Sequence, residues 1–202
     1  MKVLIIGSGG REHTLAWKVS QNSKVEKIYA IPGNPGIALL ADCINLDINN
    51  NQEIVKFALD NKTDLTIVGP EVPLTNGLVD ELAEVGLKAF GPTKVAAEIE
   101  GSKAFSKWLM KKYDIPTARF EVFEEAELAK KYVNELGAPI VIKADGLAAG
   151  KGVIIAQTIA EATEAIDSIM CDKAFGSAGH KVVIEEFVLG EEASILNFTD
   201  GE

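Results

Sequence analysis

The chain opens on Lys2-Val3-Leu4-Ile5-Ile6, an apolar run that stops at Gly7-Ser8-Gly9-Gly10 and gives way to an amphipathic stretch from Arg11 to about Ser20. Similar runs recur at Ile28–Ile31, Cys43–Leu46, Leu65–Val68 and, weakly, Leu87–Phe90, with helical patterns over Asn51–Asn61 and Leu78–Val85. Short apolar strands alternating with helices require crossover connections, and crossovers make a parallel sheet. Residues 1 to about 92 therefore read as one doubly wound, Rossmann-like α/β domain, with its boundary placed at residue 102.

The pattern then changes. Pro92-Thr93 opens a helical stretch to Glu100, Ser102 caps a second one running to Tyr113, and Asp114-Ile115-Pro116 stops it. From Arg119 the expected order is strand (119–123), helix (124–136), strand (139–143), glycine loop, strand (152–156), helix (159–170), strand (181–187). Two βαβ-like units with a hairpin between them suggest a small α+β sandwich. Residues 103–122 read as a helical linker, 123–188 as the small subdomain, and 189–202 as the first strand of a larger domain. Asp200-Gly201-Glu202 is turn chemistry that asks for a return strand.

Charge narrows the partners. Twenty Lys and Arg against 30 Asp and Glu give a net charge of −10, a field that repels nucleic acid. A chain so acidic can hold small phosphates only through local devices, such as glycine-lined amide nests and single well-placed lysines. No apolar run approaches the roughly 20 residues of a membrane-spanning helix, and the first residues lack a signal-peptide core. Cys43 and Cys171 fit no metal spacing and read as reduced thiols of a cytoplasmic protein.

Six segments carry candidate chemistry. Gly7-Ser8-Gly9-Gly10-Arg11-Glu12-His13 follows a strand and opens a helix. A dinucleotide fingerprint would need a third glycine where Glu12 stands. A tight structural turn, or a loop in which Arg11 and His13 meet an anionic substrate at the helix N-terminus, stands beside that reading. Pro32-Gly33-Asn34-Pro35-Gly36 and Gly69-Pro70-Glu71-Val72-Pro73-Leu74 both follow expected strands on the edge where such a sheet places its pocket, and either could equally be a plain turn. Pro139–Ala156 sets Lys143, Asp145, Gly146, Gly150, Lys151 and Gly152 between two β-branched strands. A Walker loop enters a helix; here Gly150-Lys151-Gly152 enters a strand, which makes a glycine-rich flap able to close amides and an ammonium over phosphates. Glu185-Glu186-Phe187-Val188, with Glu191 and Glu192 beyond, offers a strand edge for a base and acids for a ribose, or simply charges that guard a sheet edge. In Glu100-Gly101-Ser102-Lys103-Ala104-Phe105-Ser106-Lys107, Lys103 opposes the helix dipole unless an anion sits there. His180 is given no role.

Gly9–His13, Pro32–Asn34, Val68–Leu74, Glu100–Phe105 and Ile142–Val153 together resemble the glycinamide ribonucleotide synthetase family of the ATP-grasp superfamily, in order and along the whole chain. The resemblance implies a ligase of purine synthesis that joins glycine to 5-phosphoribosylamine with ATP, through a glycyl phosphate. It implies ATP contacts at Lys103, Lys143, Gly146, Gly150, Lys151, Gly152, Glu185, Glu186, Val188 and Glu192. Gly9, Gly10, Arg11, Glu12, His13, Pro32, Gly33, Asn34, Gly69, Pro70 and Glu71 fall on the phosphoribosylamine side. The family's chains are about twice as long, so the magnesium ligands are expected beyond residue 202. The chain is then a fragment expected to contact ATP without turning over, and the complete enzyme is expected to be a monomer. A nicotinamide-dependent oxidoreductase, a non-catalytic nucleotide-binding module and another ATP-grasp ligase are the alternatives.

Overall fold

The computed structural model describes residues 1–148, 151–172, 174, 176–195 and 197. The chain divides into two compact units, Met1–Ser106 and Lys107–Glu202.

In the first unit β1 (Lys2–Gly7), α1 (Gly10–Ser20), β2 (Lys27–Pro32), β3 (Asp42–Cys43), α2 (Asn51–Asn61), β4 (Leu65–Val68), α3 (Glu71–Thr75), α4 (Leu78–Glu84), β5 (Ala89–Phe90) and α5 (Lys94–Gly101) follow one another. The sheet is parallel in the order β3-β2-β1-β4-β5. Val3, Leu4, Ile5 and Ile6 of the central strand are all buried, which an apolar run needs when helices cover both faces. Leu4 and Ile6 pack with Ile54, Ala58, Leu78 and Leu82 of α2 and α4 on one side. Val3 and Ile5 pack with Ala16 of α1 and with Ile37 on the other. Asn50 caps α2 by accepting from Glu53 N, and Thr93 caps α5 from Ala96 N.

In the second unit the chain runs through most of α6 (Lys103–Lys112), β6 (Phe120–Phe123), α7 (Ala126–Leu136), β7 (Ile140–Ala144), β8 (Val153–Ala156), α8 (Ile159–Ile166) and β9 (Val182–Glu186). Ser102 caps α6 by accepting from Phe105 N at 3.1 Å. The order β6-β9-β7-β8 has only antiparallel neighbours. Each crossover joins parallel strands that are not adjacent: β9 lies between β6 and β7, and β7 lies between β8 and β9. The expected βαβ-like units are thus split ones. Ile140, Ile142, Ala144, Val182 and Ile184 face the helices and form the core with Ala129, Val133, Ala162 and Ile166. The alternate residues of the same strands face away from α7 and α8.

Five expectations change. The strand over Cys43–Leu46 is only Asp42–Cys43, and that over Leu87–Phe90 only Ala89–Phe90. Glu71–Thr75, read as loop, is α3, because a proline at the third position of a helix forfeits only a bond that its first turn does not make. The helix expected over 159–170 stops at Ile166 and continues as a π turn over Asp167–Cys171. Residues 191–195 form no strand, while 196 and 198–202 lie outside the described residues.

Candidate functional site

In the first unit, the loops after β1, β2 and β4 emerge together, because Gly7 pairs with Pro32 and Ile6 with Val68 in the sheet register. They are stitched to each other: Gly33 N donates to Gly7 O at 3.2 Å, Gly69 N to Ile6 O at 3.2 Å, and Asn34 Nδ2 to Ser8 O at 2.8 Å. Asn34 Oδ1 accepts from Ile37 N at 2.8 Å, so this side chain fixes its own loop as well. This is the crevice where a doubly wound sheet binds its ligand.

Glu12 organises the crevice floor. It is 4% exposed, and its Oε2 accepts from Gly9 N at 2.6 Å, closing the first turn of α1. Gly7 holds a φ of +124°, and a Cβ there would lie 2.6 Å from Glu12 Cγ. A Cβ on Gly69 would collide with Glu12 Oε1. The glycines therefore make room for the carboxylate, not for a pyrophosphate, and Glu12 occupies the position that the dinucleotide fingerprint reserves for its third glycine. Arg11 Nη2 reaches Glu71 Oε1 at 3.1 Å, an exposed pair at the mouth, while the His13 ring lies against Gly36. Pro70 is the N-cap of α3, and Gly10 opens α1 with open space around it.

In the second unit, the register sets two rows on the sheet face away from α7 and α8: Val153-Lys143-Val183-Val122, and Ile155-Val141-Glu185-Phe120. Glu185 is 5% exposed. Lys143 Nζ lies 2.8 Å from its Oε1 and Lys107 Nζ 2.9 Å from its Oε2. Lys107 Nζ also donates to Thr117 Oγ1 at 2.7 Å and sits 5.7 Å from the Phe120 ring. Two ammoniums share one carboxylate, which leaves a positive charge on this face of an acidic chain. Beside it Val153 and Ile155 are exposed on the edge strand, Ile155 by 52%.

The glycine hairpin leaves the sheet at the Lys143 end of this face, between β7 and β8. Ala144 N donates to Gly152 O at 2.8 Å and Lys151 N to Ala148 O at 2.9 Å. Its base is anchored by Asp145 N, which donates to Ala178 O at 3.1 Å and Lys181 O at 3.2 Å. Gly146 lies so close to this support that a Cβ would be 2.8 Å from Ala178 Cβ. The 3-10 turn Gly176–His180 that provides Ala178 had no signal beyond its own small residues. Gly150 lies outside the described residues.

The other assigned residues are placed as follows. Glu186 is engaged by Arg119: Arg119 N donates to Oε1 at 2.8 Å and Nε to Oε2 at 2.7 Å. That backbone donor and the guanidinium hold the Glu186 carboxyl below its ordinary range. Val188 and Glu192 are exposed beyond β9, and Lys103 is the first residue of α6. Sequence reasoning gave Lys107 no role, although it stands one helical turn after Lys103. Its partner Glu185 is distant in sequence, so only the fold reveals the pair. Among the described residues no group of three or more His, Cys, Asp or Glu could hold a metal ion.

A doubly wound domain followed by a split-βαβ sheet is a fold that solved structures share. The biotin carboxylase domain of the Hydrogenobacter thermophilus 2-oxoglutarate carboxylase, solved with MgADP, superposes with a TM-score of 0.74 at 23% identity, covering 93% of this chain and 44% of that one. That likeness defines the fold class. The phosphoribosylamine–glycine ligase structure from Thermotoga maritima gives a TM-score of 0.78 at 32% identity over 95% of this chain and 45% of that one. Residues 1–100 match the family described as phosphoribosylglycinamide synthetase, N domain, and residues 101–202 its ATP-grasp (A) domain. The chain belongs to the phosphoribosylglycinamide synthetase family. Phosphoribosylamine–glycine ligases of Halalkalibacterium halodurans and Vibrio cholerae are 54% and 56% identical to it over its whole length. The chain spans about half the length of these relatives, 47% and 48%.

Proposed function

We propose that these 202 residues supply the ATP-gripping part, and one wall of the amine-substrate site, of a ligase that joins glycine to 5-phosphoribosylamine. The observation that carries this reading is the surplus ammonium on the outer face of the second sheet, beside the glycine hairpin. Family membership supports the substrates.

The chemistry explains why such a face is needed. A carboxylate is a poor acyl donor, since attack must break its resonance and expel oxide. A glycine carboxylate oxygen attacks the γ-phosphorus, releasing ADP and forming an acyl phosphate. The amine of phosphoribosylamine then attacks the acyl carbon, phosphate leaves, and the nitrogen loses a proton. Catalysis is chiefly positioning and neutralisation of phosphate charge. Lys143 and Lys151 serve as ammoniums, the amides of the Gly146–Gly152 hairpin as donors, and exposed Val153 and Ile155 as apolar cover for the base. The backbone from Glu185 to Val188 is assigned to the adenine edge and Glu192 to the ribose. Lys103 is assigned to the phosphates on the resemblance alone. Gly9 to His13, Pro32 to Asn34 and Gly69 to Glu71 are assigned to phosphoribosylamine, with Glu12 shaping the loop instead of touching substrate. Magnesium accompanies ATP in such reactions, but the described residues offer it no cluster, so none is assigned to it.

The test is a chimera that joins this chain to the remaining half of the Halalkalibacterium halodurans ligase. ADP release that needs glycine and phosphoribosylamine together is the expected result. ADP release with a different acid and amine, or none in a folded chimera that ligates nothing, overturns the substrate assignment.

A further inference from the structure

Glu185 is almost wholly buried, and a buried carboxylate is tolerated only while a countercharge stays with it. Two cations divide that task unequally. The Lys107 side chain is 11% exposed and doubly held, by Glu185 Oε2 and by Thr117 Oγ1. The Lys143 side chain is 25% exposed. Its Nζ lies 2.8 Å from Glu185 Oε1, yet that oxygen has no hydrogen bond of acceptable angle. Distance governs the Coulomb attraction and angle the directed bond, so Lys143 is held by charge alone, whereas Lys107 has a second partner in Thr117.

We infer that Lys107 is a positioning residue: it stays on Glu185 so that Lys143 can leave the carboxylate for a phosphate without stranding a buried charge. This rests on the ATP reading above. Among the described residues Lys107 and Lys143 are the cations paired with Glu185, so without Lys107 binding a phosphate would mean that Lys143 abandons it. The surplus charge that recruits the anion is thus created by a lysine that does not itself touch the anion.

The experiment compares Lys107→Gln, Lys107→Arg, Glu185→Gln and the double variant Lys107→Gln/Glu185→Gln in the full 202-residue chain, each checked for folding by circular dichroism. ATP affinity is read by calorimetry. Lys143 is also read without nucleotide, through its rate of acetylation by acetic anhydride, followed by peptide mass spectrometry. Lys107→Gln is expected to weaken ATP binding about tenfold, the scale of one charge-assisted contact, and to slow acetylation of Lys143. Lys107→Arg retains wild-type behaviour. Glu185→Gln, which removes no cation, speeds acetylation of Lys143. The double variant binds ATP better than Lys107→Gln alone, because a neutral amide no longer traps Lys143. A double variant no better than the single, or a Lys143 acetylation rate indifferent to Lys107 and Glu185, overturns the inference. Absence of ATP binding by the wild type would instead sink the nucleotide reading, while the acetylation rates still decide how Glu185 is shared.

Discussion

Glu12 shows how one residue can organise a loop. Its carboxylate closes the first turn of α1 on Gly9 N, and the glycines at 7, 9 and 69 are the space it occupies. Glu12→Ala removes a charge-assisted cap and leaves a void, and is expected to cost about 1–2 kcal/mol in a urea titration. Gly69→Ala drives a methyl into the Glu12 carboxylate and is expected to cost about 1–3 kcal/mol. The two losses share one cause, so the double variant should cost clearly less than their sum. Strict additivity would show that Gly69 is needed for its own backbone and not for Glu12. The sequence already placed a glutamate where a dinucleotide site wants glycine. It could not show that the glycines serve that glutamate, because a residue's neighbours across a sheet are set by register and not by spacing.

At the scale of elements, the helices and strands were legible where local signals agreed. The runs at Lys2–Ile6 and Leu65–Val68, the helix starts at Thr93 and Ser102, and the proline stop after Tyr113 all reappear in the structure. The hairpin at Lys143–Val153 was legible too, since Gly-Lys-Gly ran into β-branched residues. Illegible were the interposed strands of the split βαβ units and the 3-10 support beneath the hairpin, both of which depend on distant parts of the chain. Exposed ion pairs tie these elements together. Lys181 holds the Glu124 carboxyl below its ordinary value, Lys130 does the same for Asp167, and Arg119 for Glu186. Each carboxyl titrates lower folded than unfolded, so its contribution is complete above the unfolded value, about 4. It is lost as pH falls through the folded value. Thermal scans should therefore show a melting temperature insensitive to these groups at neutral pH and falling below about pH 4. Asp167→Asn should flatten part of that acid limb, modestly, since exposed pairs are weak. An unchanged acid limb would count against the pair.

On the scale of the whole molecule, a chain of net charge −10 can hold a polyanion only through local charge. The acidic composition was plain in the sequence. The local answer, one buried acid carrying two lysines, was only partly visible: Lys143 and Glu185 could be singled out, whereas Lys107 and the sharing of Glu185 acquire meaning through the fold. The account stands on where the triphosphate sits. Hydrogen exchange of the 202-residue chain, with and without ATP and followed peptide by peptide, measures that directly. ATP should slow exchange across 140–156 and 182–188 and leave Gly7–His13 unchanged. Protection confined to Gly7–His13, with the second sheet indifferent to ATP, would contradict it.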